Sequence, residues 1–277
     1  MKKDFDLEDN EIRIVGEKPA PSGRIWIWVA VALAIVAVVI FCVSHFVKSD
    51  TSEGAGSEDV AAPIAAADNS GCVIIDTIVD NIALRLFVPS GEPMLHVGDL
   101  SPEQDTDVVF AAEAAYYRKD NNQISGAFIL KGEQLSRGCS MLGYCAIVKG
   151  EVYLGMAKST SLFEEAVEEE GYFFRQKPLV DSCKAIHEQN SRRNPAIRTR
   201  RNAIVSLDSR PMVVGCETPL TRNDFADILA QLGCQQAVSL NGGNCFGFAR
   251  DTAGNIHYWG ARLTEIPANI NYIVWTR

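Results

Sequence analysis

Between Ile25 and Val47 the chain reads IWIWVAVALAIVAVVIFCVSHFV, 23 residues without an Asp, Glu, Lys or Arg. As a helix at ~1.5 Å per residue this run spans ~34 Å, enough to cross a ~30 Å hydrocarbon core. A helix inside a globular core rarely stays apolar around its whole circumference for so long. Trp26 and Trp28 at one end suit an interfacial aromatic belt. Lys2, Lys3, Arg13, Lys18 and Arg24 precede the run, and only Lys48 follows it before Arg85. This asymmetry places the N-terminus in the cytoplasm. A cleaved signal peptide has a shorter apolar region, ~7–15 residues, with a small-residue site close behind. The expectation is therefore an uncleaved, single-pass signal anchor in the inner (cytoplasmic) membrane. Residues 1–24 form a cytoplasmic tail, 25–47 the span, and the C-terminal part is exported to the periplasm or cell exterior.

Residues 48–70 read as a flexible linker. From Ser49 to Ser70 there are six Ala, four Ser, two Gly and five acids, with almost nothing large and apolar to offset the entropy of ordering. Folding resumes at Gly71, and 71–277 reads as one exported domain. Seven of the eight cysteines fall in it. That abundance fits an oxidising compartment with disulfides, and the odd number leaves at least one thiol unpaired. No C-x-x-C occurs and only four His are present, so no zinc-ligand spacing is available and no metal site is expected. The pattern names no cofactor. A net charge of -9 argues against a nucleic-acid partner, because neutralising phosphate requires the opposite sign.

Short alternating or apolar runs predict strands at 72–79, 82–88, 107–112, 124–131, 144–149, 152–157, 202–207, 211–215, 236–240, 245–250, 255–259 and 270–276. Lys149-Gly150 and Asp208-Ser209-Arg210 read as hairpin turns. One helix is predicted from Ser161, with Glu164 completing a capping box, to near Gly171; its glutamates form a solvated face. A second starts at Thr221, with Asp224 three residues on, and stops at Gly233; Phe225, Ile228, Leu229 and Leu232 line one face. The fold class is α+β: a strand-rich mixed sheet with a few packed helices, preceded by the transmembrane helix.

Three features could carry chemistry. An apolar strand meets an abrupt Asn241-Gly242-Gly243-Asn244 turn, where glycines allow close backbone approach to a ligand and the amides suit sugar hydroxyls or phosphate. Asn-Gly is also the strongest hairpin dipeptide, so a plain hairpin is the alternative. Arg192, Arg193, Arg198, Arg200 and Arg201 fall within ten residues, either as an anion site or as a basic patch facing acidic neighbours. Glu113, in FAAEAAYY, stands at a strand end as a possible acid, base or hydrogen-bonding group. Cys245 beside the glycines reads as a small buried thiol or disulfide partner before a nucleophile.

From about Val108 to the C-terminus the chain resembles the phosphodiester glycosidase family. The resemblance rests on AEAAYY (Ala112–Tyr117), RNAIV (Arg201–Val205), TRNDFADILAQLGCQQAVSL (Thr221–Leu240) and NGGNCF (Asn241–Phe246), in the family's order and spacing. Arg201, Gly242 and Gly243 match the family's pattern. Asn241 stands where the family has Asp, Asn244 where it has a third Gly, Cys245 where it has Ser, Glu113 where it has Asn, and Ala115 where it has Gly. The resemblance implies that Arg201 holds a phosphate and that Asn241 and Glu113 act in catalysis. It further implies that Gly242, Gly243, Asn244 and Arg200 contact a carbohydrate or sugar-phosphate ligand. The function expected is hydrolysis of sugar-1-phosphodiester linkages in envelope or extracellular glycans by a membrane-anchored, exported enzyme. The alternatives are a catalytically degenerate member that binds glycan or protein in the envelope, and a purely structural envelope domain.

Overall fold

Three two-residue turns organise much of the chain. Asp80-Asn81, Lys149-Gly150 and Asp208-Ser209 all have positive φ at both positions, the conformation whose twist matches that of the strands it joins. They close the hairpins between β1 (Cys72–Val79) and β2 (Ile82–Pro89), between β7 (Gly143–Val148) and β8 (Glu151–Met156), and between β12 (Thr199–Leu207) and β13 (Arg210–Leu220). These positions come from a computed structural model that describes residues 71–118, 120–138, 141–189 and 196–277. The expected cytoplasmic tail, membrane span and linker lie outside the described residues, as do Cys139, Arg192 and Arg193.

The remaining strands complete three antiparallel sheets. With β10 (Pro178–Asp181), β11 (Lys184–Ala185) and β14 (Gln236–Ser239), the first sheet runs β1-β2-β13-β12-β14-β10-β11. The second contains β3 (Glu92–Val97), β4 (Val108–Glu113), β15 (Gly247–Arg250), β16 (Ile256–Trp259) and β17 (Asn271–Thr276), in the order β16-β15-β4-β17-β3. The third adds β5 (Phe128–Leu130), β6 (Glu133–Ser136) and β9 (Tyr172–Gln176) to β7 and β8, in the order β6-β5-β9-β7-β8. The three sheets share a core that includes Phe87, Phe110, Phe128, Phe174, Ile204, Leu240 and Ile273. Burying each such side chain stabilises the fold by roughly 1.5–3 kcal/mol.

Two helices pack on this frame. Helix α1 (Ser161–Glu168) is capped by Thr160, whose side chain accepts from Leu162 N–H, one residue before the cap expected. It buries Ala166 and leaves its glutamates exposed. Helix α2 (Arg222–Gln231) has the capping box expected from Thr221 and Asp224, and buries Phe225, Ala226, Ile228 and Leu229 against Leu84, Val205 and Val214.

No disulfide joins the six described cysteines, where disulfides were expected. Cys72, Cys145 and Cys216 are buried on different strands and Cys234 in the connection from α2 to β14, and they serve as small core groups. Burial pushes the thiols of Cys72 and Cys234 up to about 12, which keeps them protonated.

Candidate functional site

The Asn241–Asn244 segment is not a hairpin. The strand before it, β14, belongs to the first sheet, and the strand after it, β15, belongs to the second. The segment is therefore a crossing between sheets, and it is bound at both sides. Leu240 N–H donates to Asn202 O at 2.9 Å and Gly243 N–H to Arg200 O at 2.9 Å, which lays the turn across the start of β12. Asn241 N–H reaches Glu113 O and Ala114 O at the end of β4. The first glycine is needed for this approach: a Cβ at Gly242 would stand 2.7 Å from Arg200 O. The second adopts φ +73°. The glycines thus serve a backbone-to-backbone contact, and the Gly243 amide is occupied by the protein itself.

Glu113 sits beneath this turn, 4% exposed. Its Oε2 accepts from Asn241 Nδ2 at 2.9 Å and its Oε1 from Phe246 N–H at 3.0 Å, and the Cys245 thiol also bonds to it. Burial raises its pKa above the ordinary carboxylate range, while the bonds from Cys245, Phe246 and Asn241 work the other way. Its carboxylate ties the crossing segment to β4.

Above the turn is a cavity of about 290 Å³ whose walls include Arg201, Asn241, Gly242 and Gly243. Residues distant in the sequence complete it: Tyr116, Glu188, Thr199 and the first turn of α2 with Thr221, Arg222 and Asn223. Arg201 lies within β12, 7% exposed; its Nε donates to Leu220 O at 3.0 Å and its Nη2 to Ile197 O. Burial and the neighbouring Arg222 both lower its pKa. Arg222 donates to Glu188, which also pairs with Lys177 at 2.8 Å. Burial works against the Arg222 charge, but Tyr116 and Glu188 outweigh it and raise its pKa. The Glu188 loop is clamped to the helix, since Glu188 N–H donates to Asn223 Oδ1 and Asn223 Nδ2 to Glu188 O, each at 3.0 Å. On the opposite wall the side chain of buried Asn271 holds both backbone groups of Ala115, fixing the chain just before Tyr116.

The expected site residues separate into groups. Arg201, Asn241, Gly242 and Gly243 meet at the cavity, whereas Glu113 lies under the turn and is absent from its lining. Asn244 is exposed, with its carbonyl accepting from Ala261 N–H at 3.0 Å. Arg200 points away from the cavity and pairs with Glu217 at 2.9 Å, while Arg198 pairs with Asp224 at 3.0 Å. Arg222, Glu188 and Tyr116 escaped the sequence reading. For Arg222 a signal existed: a cation in a helix's first turn opposes the macrodipole. Its presence directly after a recognisable N-cap asks for a compensating partner or ligand.

No protein-family model and no curated protein matches the chain. Solved structures do. The catalytic domain of zebrafish N-acetylglucosamine-1-phosphodiester alpha-N-acetylglucosaminidase, auto-inhibited by its pro-peptide, superposes with a TM-score of 0.51 at 12% identity. That match covers 74% of this chain and 82% of that one. A hypothetical protein from Synechocystis gives 0.50 at 13% identity, covering 75% of this chain and 62% of that one. The likeness is one of fold. The sheet-rich domain with its two packed helices is similar in fold to that zebrafish catalytic domain.

Proposed function

We propose that the cavity binds the phosphate of a sugar-1-phosphodiester and that the chain hydrolyses that linkage. The observation that carries this reading is the convergence of two guanidiniums, Arg201 and Arg222, on one cavity whose lining has a single carboxylate, Glu188. Charge there favours an anion, and the N-terminal turn of α2 adds the positive end of a helix dipole. Guanidinium forks match phosphate oxygens. Hydrolysis adds water to the sugar's C1 and breaks the C1–O bond, so that a phosphomonoester leaves. Glu188 is the carboxylate placed to orient that water. Its pKa is lowered by Lys177 and Arg222 despite opposing burial, which keeps it ionised as an acceptor. Residues 25–47 would hold the domain to the membrane with 71–277 exported.

A second reading, a non-hydrolytic sugar-phosphate binder, draws support from one observation. The Glu113 carboxylate is engaged by three donors beneath the turn, and position 241 carries an amide. The two readings separate in one experiment on the full chain, with an aryl N-acetylglucosaminyl phosphodiester as substrate and calorimetry with the same compound. Aryl phosphate release that is lost in Glu188→Gln supports hydrolysis. Binding without release supports the second reading, and neither binding nor release removes both. Protease added outside intact cells, or to cells with a permeabilised outer envelope, should cut after Lys48 if the anchor has the orientation proposed.

A further inference from the structure

Successive side chains of a strand point to opposite faces, and at the start of β12 this alternation divides two ligand-sized spaces. Thr199 and Arg201 face the cavity described above, while Arg200 and Asn202 face a groove of about 740 Å³ on the other side. The groove runs between the first sheet and β16. We propose that this groove is a binding site for a neutral saccharide. Nothing in the proposal depends on phosphodiester hydrolysis at the cavity.

The wall is aromatic and held in place. Trp259 packs on Phe87 with ring centroids 4.7 Å apart and on Phe110 at 5.6 Å. It can lie there only because position 247 is glycine, where a Cβ would fall 2.2 Å from the indole ring. Tyr258, its neighbour on β16, turns to the opposite face, where its ring lies 6.4 Å from Phe246 and its hydroxyl donates to Glu103 at 2.8 Å. A ring held in this way offers an apolar surface at little entropic cost.

Charge selects the ligand class. The guanidiniums on the groove are both paired with carboxylates that also line it: Arg85 with Asp76 at 2.7 Å and Arg200 with Glu217 at 2.9 Å. Two cations and two anions cancel, so the groove lacks the anion preference of the cavity. The pairs and Asn202 instead supply donors and acceptors beside the aromatic wall. A pyranose presents complementary surfaces, an apolar C–H face and a rim of neutral hydroxyls. A lipid chain would strand four charged side chains against hydrocarbon. The volume falls in the range of small-molecule sites.

The test is saturation-transfer NMR on the full chain in lipid nanodiscs, with cellobiose, maltose and N,N′-diacetylchitobiose as probes and a neutral tripeptide amide as comparison. The expected result is transfer to the C–H protons of at least one disaccharide. Trp259→Leu should weaken its binding about fivefold or more, and Arg200→Gln, which removes a charged donor from the groove, should weaken it as well. Arg222→Gln and added inorganic phosphate should leave it unchanged. Trp259 also packs on Phe87 and Phe110, so urea unfolding checks that its variant folds, and Tyr258→Ala, which alters only the other face of β16, should leave binding unchanged. Absence of transfer to all three sugars overturns the proposal. So does transfer that survives both Trp259→Leu and Arg200→Gln undiminished, or transfer to the tripeptide alone. Disaccharide binding that persists when no phosphodiester is hydrolysed leaves the groove assigned and refutes only the hydrolase reading.

Discussion

Asn241 Nδ2 donates to Glu113 Oε2 at 2.9 Å across 128 residues of sequence. The bond joins an amide to a carboxylate, and in the resemblance to the phosphodiester glycosidases the two types are exchanged: Asn at position 113 and Asp at position 241. A reciprocal exchange keeps one donor facing one acceptor. A single exchange does not.

Asn241→Asp alone should therefore be destabilising at neutral pH, because it sets two carboxylates together in a buried site. Losing a bond to a charged acceptor costs about 1.5–3 kcal/mol, and like-charge repulsion adds to it. The double variant Glu113→Gln with Asn241→Asp should recover most of that loss. Any hydrolytic gain from a carboxylate at 241 is expected in the double variant. Urea unfolding of the three proteins checks the stabilities, and an unperturbed single variant would show that the pair is not coupled.

The raised pKa of Glu113 gives a pH dependence of definite sign. The unfolded carboxyl titrates near ~4.3 and the folded one above it, so folding takes up a proton between the two values. The Glu113 contribution to stability is greatest below the unfolded pKa and falls as pH rises through the folded one. Stability of the wild type minus that of Glu113→Gln should decline across this window and flatten above it. A difference that rises with pH would mean that the three donors outweigh burial.

The sequence made the hairpins at Lys149-Gly150 and Asp208-Ser209 and the capping box of α2 legible, because each is local chemistry: turn residues between alternating runs, and Thr221 three positions before Asp224. It did not reveal β9. The run YFFRQ ends in Arg175 and Gln176, which are buried at 4% and 0%, and no alternation survives. Arg175 enters the interior because its Nη1 and Nη2 find Ala157 O at 2.7 Å and Lys158 O at 2.9 Å, partners that only the tertiary fold supplies. The site divides likewise. The glycine crossing and Arg201 stood out as motifs, whereas Glu188 joins them through a loop clamp to Asn223 that no spacing announces.

Arg201 faces the cavity and also serves the fold, through its bonds to Leu220 O and Ile197 O. Arg201→Ala should cost about 3 kcal/mol in urea unfolding, because two carbonyls lose charge-assisted partners. Arg222 is the better probe of anion binding, since its own partner Glu188 retains Lys177. Arg222→Gln should weaken glucose 1-phosphate binding about tenfold, roughly 1.4 kcal/mol, with near-native stability. Equal loss of folding in both variants would mean that the two guanidiniums serve the fold alone.

The glycine crossing can be tested by separating steric contact from backbone strain. At Gly150 a Cβ would meet nothing within 4 Å but φ is +78°, so Gly150→Ala reports strain alone, about 1–2 kcal/mol. Gly242 has no positive φ, yet its Cβ would stand 2.7 Å from Arg200 O. That carbonyl cannot retreat freely, because it accepts from Gly243 N–H at 2.9 Å and belongs to β12. Gly242→Ala should thus lift the turn off the strand and cost about 1–3 kcal/mol, as overpacking does. The consequence for binding distinguishes the two variants. Gly150 lies in the β7–β8 turn, outside the cavity lining, so its replacement should lower stability without changing glucose 1-phosphate affinity. Gly242→Ala should lower both, because Asn241 and Arg201 face the cavity from the two surfaces it forces apart. Titration calorimetry on each variant, well below its melting temperature, decides the matter. Unchanged affinity in Gly242→Ala would place the ligand elsewhere than against the crossing.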